Sequence, residues 1–297
     1  MTRFHARVAS ADRFVLGEGP VKTGEDGVLW VDIVRGQVFL GVIEDGQVIE
    51  TARHQFDGMV GAAVLADSGV LLVASQEQLV VVHTDGRRTA GPRIVPADSA
   101  RRSNDGAVDP MGRFLIGTLA LGDSAGGEAL VRIEDDGTPT VIDDDLSLSN
   151  GIAWAPDGKV LYNTDTIPGV IWARPYDAES GRIGARHEHL RISDGFPDGI
   201  CVDTDGCIWV AIWGAGEVRR FSPHGVLIDT VAVPAPHVSS VAFVGKASHQ
   251  LLITTASRDL SAADLDEYPD AGRLFLADVH AKGIPTAPWS ASWSSSS

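Results

Sequence analysis

The chain has 297 residues, 44% of them apolar, and sets 24 Lys and Arg against 40 Asp and Glu for a formal charge of −16. A field of that sign opposes approach to phosphate, which sets nucleic acid and anionic membranes aside as partners. No apolar run is long enough to span a bilayer and the segment after Met1 has no leader-like apolar core, so a cytoplasmic protein is expected, with a monomer as the default state.

Read from the N-terminus, the chain repeats itself. Gly27-Val28-Leu29-Trp30 is followed by Gly69-Val70-Leu71-Leu72, Gly112-Arg113-Phe114-Leu115, Gly158-Lys159-Val160-Leu161 and Gly206-Cys207-Ile208-Trp209, with a looser sixth copy at Leu251-Leu252-Ile253. The copies recur about every 42 to 48 residues, a period of solenoids, propellers or arrays. Content favours strands over helices. Each copy holds short runs of Val, Ile, Leu and Trp broken by turns such as Asp45-Gly46, Asp85-Gly86, Asp136-Gly137, Asp157-Gly158 and Asp205-Gly206, the signature of meandering antiparallel hairpins. About four strands in each of six copies predict an all-β, six-bladed β-propeller. No linker interrupts the repeat, so one domain is expected over residues 1–297, with blades from about 12 to 285. The Ser-rich stretch 289–297 reads as a frayed tail. Cys201 and Cys207 flank the Asp205-Gly206 turn without metal spacing and are expected as two reduced, buried thiols.

One register position stands out. About eight residues before each marker glycine lie Glu18, Gly61, Asn104, Asn150 and Asp198, with Ser239 as the sixth counterpart. The strand carrying them is expected innermost in its blade, so ring closure brings four oxygen-bearing side chains to one channel. A glycine follows each of the four by one or two places, which allows a turn or a close backbone approach. Two carboxylates and two amides converging with no Lys or Arg expected nearby call for a cation. All-oxygen ligands suit calcium, magnesium or manganese, and zinc or ferrous iron fit with water completing the shell. Such an ion polarises a carbonyl or phosphoryl oxygen and acidifies water, pointing to hydrolysis. Asp198 or Glu18 is the candidate general base.

With these residues in view, the chain resembles the regucalcin (senescence marker protein)/gluconolactonase family of six-bladed propeller lactonases. The resemblance runs from about Leu16 to Pro285 and is carried by Leu16-Gly17-Glu18-Gly19-Pro20, Trp30-Val31-Asp32-Ile33, Arg102-Ser103-Asn104-Asp105-Gly106, Val108-Asp109-Pro110, Ser149-Asn150-Gly151-Ile152, Tyr162-Asn163-Thr164-Asp165-Thr166, Pro197-Asp198-Gly199 and Ala271-Gly272-Arg273-Leu274-Phe275. It implies one divalent cation, calcium foremost, on Glu18, Asn150 and Asp198. It also implies substrate contacts from Arg102 and Asn104, and ring opening of a sugar lactone by water with Asp198 as base. Where some members bind sugar hydroxyls with an acid, this chain has Gly117-Thr118-Leu119-Ala120-Leu121-Gly122. Leu119 and Leu121 therefore suggest a less polar substrate, unless the following 122–128 loop brings an acid of its own.

Further candidates are Trp213 as a stacking face and His237 near the channel mouth, each weighed against simple packing. His187 and His189 share one face of an outer strand and are expected to face solvent, and Asp105 and Asp165 are expected to orient ligands or close turns. Two other functions fit the same platform: hydrolysis of another ester such as a phosphotriester, and non-catalytic calcium binding.

Overall fold

A computed structural model describes residues 1–97, 99–122 and 126–290. Its six sheets, antiparallel apart from one added N-terminal strand, are the blades of a β-propeller. The innermost strands are Gly17–Lys22, Val60–Leu65, Arg101–Val108, Ser149–Trp154, Phe196–Val202 and Val238–Val244. They meet one another in chain order around the axis, the sixth closing on the first. Loops between the second and third strands of each blade share the upper face, where the inner strands begin.

The turn chemistry is as the sequence implied. Asp45 and Gly46 join the strands Gln37–Glu44 and Gln47–Gln55 with φ of 48° and 75°, the paired left-handed conformation that a two-residue hairpin demands and Asp-Gly tolerates.

Apolar alternation buries both faces of each blade. Each of the six core clusters lies between two neighbouring blades: Trp30 and Phe39 of the first blade pack with Leu252 and Leu276 of the sixth, and Leu115 and Leu130 of the third with Trp154 and Leu161 of the fourth. Radial repetition thus gives each sheet a hydrophobic neighbour on either side.

The chain ends depart from expectation. Thr2–His5 pairs in parallel with Leu227–Ala232 of the fifth blade, and Arg7–Val8 forms the outer strand of the sixth against Phe275–Asp278. Strand order therefore begins well before residue 12, and the N-terminus clasps the last two blades. At the other end Trp289 is only 3% exposed and packs between the second and third blades. Its N–H bonds to the Leu65 carbonyl and Ser290 N–H to that of Gly112. Trp289 and Ser290 are therefore anchored, contrary to a tail starting at 289; residues 291–297 lie outside those described. Cys201 and Cys207 are free thiols, burial raising both above the ordinary range, Cys207 to about 11. His187 is exposed as expected, but His189 is half-buried and packs on the Tyr162 ring at 5.1 Å. Among the described residues no helix is long and apolar enough to cross a membrane.

Candidate metal and active centre

Every inner strand breaks register with its neighbour at the ring position. The shifts fall between Glu18 and Val21, Val60 and Ala62, Ser103 and Gly106, Asn150 and Ile152, Pro197 and Ile200, and Val238 and Ser240. A bulge frees a residue from the strict in-out alternation and re-aims its side chain, here repeatedly at the axis. The glycines that follow serve close approach. A Cβ on Gly199 would stand 2.0 Å from Ser240 Oγ of the next blade, and one on Gly151 2.6 Å from the Asp198 carbonyl.

The structure gathers Glu18, Asn104, Asn150 and Asp198, all no more than 6% exposed. Two members of the ring offer no free side-chain oxygen. Gly61 has no side chain, and Ser239 Oγ is spent on the Gly17 carbonyl at 2.6 Å and Thr254 Oγ1 at 2.9 Å, stitching the sixth blade to the first. Thr166 was missed as a positioning residue, although it ends the Tyr162–Thr166 run: its hydroxyl donates to the Pro197 carbonyl at 2.8 Å and receives Asn150 Nδ2 at 3.2 Å. That fixes the amide and leaves Asn150 Oδ1 without a partner; Asp198 Oδ1 is likewise buried and unpartnered.

One expectation is corrected: the centre does contain an arginine. Arg102 is 2% exposed and interacts electrostatically with Glu18 and Asp198. Burial, then the neighbouring Arg258, pulls it down to about 10, so it stays charged at neutral pH. Its Nη1 donates to the Ser103 carbonyl and to Asn104 Oδ1, while its Nε is buried without a partner. Asp105 adds a third buried carboxyl beside Glu18 and Asp198, whereas Asp165 closes a turn by accepting the Ser147 and Leu148 N–H groups.

Electrostatics explains what the cluster needs. Burial, then Asp105, pushes Glu18 up to about 8 against the opposing Gly19 N–H and Arg102; burial, then Glu18 and Asp105, raises Asp198 well above the carboxylate range; burial raises Asp105 to about 6. Fully ionised, three carboxylates against one guanidinium would leave two formal negative charges in a desolvated space, a surplus that protonation relieves and a divalent cation would neutralise. The orphaned Asn150 and Asp198 oxygens, with Glu18 beside them, fit a hard cation. Among the described residues no three His, Cys, Asp or Glu side chains form a metal cage by themselves; a cation held here would draw on the Asn150 amide oxygen and water as well.

Below the ring a cavity of about 990 Å³ runs to the lower face, with Ile284 and Pro285 of the C-terminal strap in its wall. Of the centre's polar side chains only Asp105 lines it, so the orphaned oxygens do not face this chamber. The upper mouth carries the remaining candidates. Trp213 stacks on His237 with centroids 4.2 Å apart at 11°, and His237 Nδ1 lies 3.1 Å from the Arg258 carbonyl. His237 thus reaches the mouth as part of an aromatic pair, its basicity lowered mainly by burial. Leu119 and Leu121 are half-buried on the third blade. Glu128 brings no acid to them: it is fully buried and bonded to Thr118 Oγ1 at 2.8 Å and Arg101 Nε at 3.0 Å. Asp123 lies outside the described residues.

Among the described residues the propeller thus carries a buried polar centre on its axis, bulged into place blade by blade. Residues 16–257 match the SMP-30/Gluconolactonase/LRE-like region, and the chain belongs to that family. It is 34% identical to the 6-deoxy-6-sulfogluconolactonase of Pseudomonas putida and 35% identical to the pentonolactonase XacC of Haloferax volcanii, each over 91% of this chain and 93% of the relative. The crystal structure of a calcium-binding protein, regucalcin, from Agrobacterium tumefaciens superposes with a TM-score of 0.90 at 27% identity, covering 97% of this chain and 98% of that one.

Proposed function

We propose that this protein hydrolyses a small lactone of the sugar-lactone class with the help of one divalent cation held by Glu18, Asn150 and Asp198. The observation that carries the reading is the pair of buried, unpartnered oxygens, Asn150 Oδ1 and Asp198 Oδ1, in a centre with surplus negative charge. Lactonase relatives at 34% and 35% identity support the substrate class, and the calcium-binding structural relative supports calcium. When bound, the cation supplies Lewis acidity to the lactone carbonyl.

The chain's own residues do the rest. Arg102 Nε, buried and free of partners, offers a charged donor to an ester oxygen, and Asn104 holds the guanidinium in place. Asp198 takes a proton from water as the water oxygen bonds to the carbonyl carbon. The ring C–O bond then breaks, the ring oxygen leaves as a hydroxyl carrying the returned proton, and the product is the open hydroxy acid. The Asn150 amide, held by the Thr166 hydroxyl, favours the charged form of Asp198 against burial.

The test is proton release on adding δ-gluconolactone or xylonolactone. Chelator and Asp198→Asn should each abolish it. Full activity of Asp198→Asn with chelator present would contradict the reading.

A further inference from the structure

The lower chamber has no part in the reaction proposed above, and the C-terminal strap makes it a pocket. On one side the Lys282 carbonyl accepts Thr204 N–H of the fifth blade at 2.8 Å, and Gly283 N–H donates to the Ser248 carbonyl of the sixth at 2.9 Å. Trp289 and Ser290 are held across the ring, on the Leu65 and Gly112 carbonyls of the second and third blades. Residues 284–288 therefore pass over the lower mouth, and all five line the chamber. Much of its wall is hydrocarbon, with Val21, Ile152, Phe243 and Ile284 in it. The charged side chains of the described wall are Lys22, Asp67, Asp105 and Asp157. Lys22 is already engaged: its Nζ donates to the Gly245 carbonyl at 2.7 Å and to Ser248 Oγ at 2.9 Å. Asp67 and Asp157 are exposed, whereas Asp105 is 9% exposed and lies at the end nearest the ring, its Oδ1 accepting Gly106 N–H at 2.8 Å.

We propose that this chamber is a second binding site, taking a small organic ammonium ion with its charged head at Asp105 and its hydrocarbon body along the apolar wall. A carboxylate withdrawn from bulk water gains most from a cation that brings its own hydrogen-bond donors. The body of such an ion removes apolar area from water on both surfaces. A volume of about 990 Å³ is that of a small-molecule pocket. Three acids against one tethered base disfavour an anion in the same place. The site stands whether or not the ring above hydrolyses a lactone.

The experiment is calorimetric titration of the calcium-equilibrated protein with hexylammonium and with its neutral counterpart, hexan-1-ol. Hexylammonium should bind at one site per chain and tighter than hexanol by on the order of tenfold or more, the scale of a hydrogen bond to a charged group. Asp105→Asn should remove that difference. Ala242→Trp, which narrows the chamber from the sixth-blade wall, should weaken both ligands. No saturable binding of hexylammonium to the wild type, or equal affinity for hexanol, overturns the inference even if no variant folds. So does undiminished hexylammonium binding to a folded Asp105→Asn or Ala242→Trp. Because the readout is heat of binding and not turnover, these results leave the lactonase reading standing.

Discussion

Arg102 Nη1 donates to Asn104 Oδ1 at 2.7 Å, and Asn104 Nδ2 donates in turn to the Ser149 carbonyl of the next blade at 2.9 Å. The amide thereby ties a guanidinium that interacts with Glu18 and Asp198 to the strand that carries Asn150. Asn104 is a positioning residue in this arrangement, and its carbonyl oxygen is already spent on Arg102.

Asn104→Ala is therefore expected to lower kcat/KM by about 10- to 100-fold, the scale of a lost hydrogen bond to a charged group. Metal content should stay at the wild-type value. Steady-state kinetics alongside metal analysis checks this; a variant that loses its metal would move Asn104 into the ligand set.

Chelated protein should lose stability as pH rises. Glu18 sits at about 8 in the metal-free fold against an ordinary 4.5, and Asp105 at about 6 against 3.8. Between those values the folded state holds more protons than the unfolded chain, so unfolding becomes easier as pH climbs from about 4 to 8. The stabilisation is complete below the unfolded values and lost as each folded value is passed. Added cation should restore the melting temperature most at the alkaline end, which a thermal series with and without metal measures.

Gly199→Ala should destabilise by about 1 to 3 kcal/mol, the usual cost of overpacking. The new methyl meets Ser240 Oγ, Cβ and Cα at 2.0, 2.6 and 2.8 Å, and relief requires the fifth and sixth inner strands to part. Because Asp198 is adjacent, metal affinity should fall as well. Denaturant unfolding and a metal titration read the two effects separately.

Trp289→Ala should cost about 3 to 5 kcal/mol, as for other fully buried large aromatics. The ring fills the seam between the second and third blades beside Phe114 and Leu72. A change within a few tenths of a kcal/mol in denaturant unfolding would mean that the C-terminal strap is not part of the core.

The repeat made the blades and the axial residues legible, because glycine and apolar spacing record the strand register and the ring position inherits it. Long-range pairings left no such trace. Thr2–His5 and Arg7–Val8 find partners more than 200 residues away, and nothing local marks a short polar strand as the closing one. Trp289 was hidden by the Ser-rich stretch after it. Arg102 was expected as a substrate contact and not as the counter-charge of the ring: its side chain reaches the centre from a position outside the repeat's polar register. The stacking of Trp213 on His237 joins two blades, a relation that residue spacing does not encode.

The central claim is that Glu18, Asn150 and Asp198 hold one divalent cation. It is tested most directly by equilibrium dialysis against calcium followed by elemental analysis of wild type, Glu18→Ala, Asp198→Ala and Asn104→Ala. The account predicts one ion per chain in the wild type and in Asn104→Ala, and a loss of at least tenfold in affinity when either ligand carboxylate is removed. Equal calcium in all four proteins, or none in the wild type with any divalent metal supplied, would contradict it.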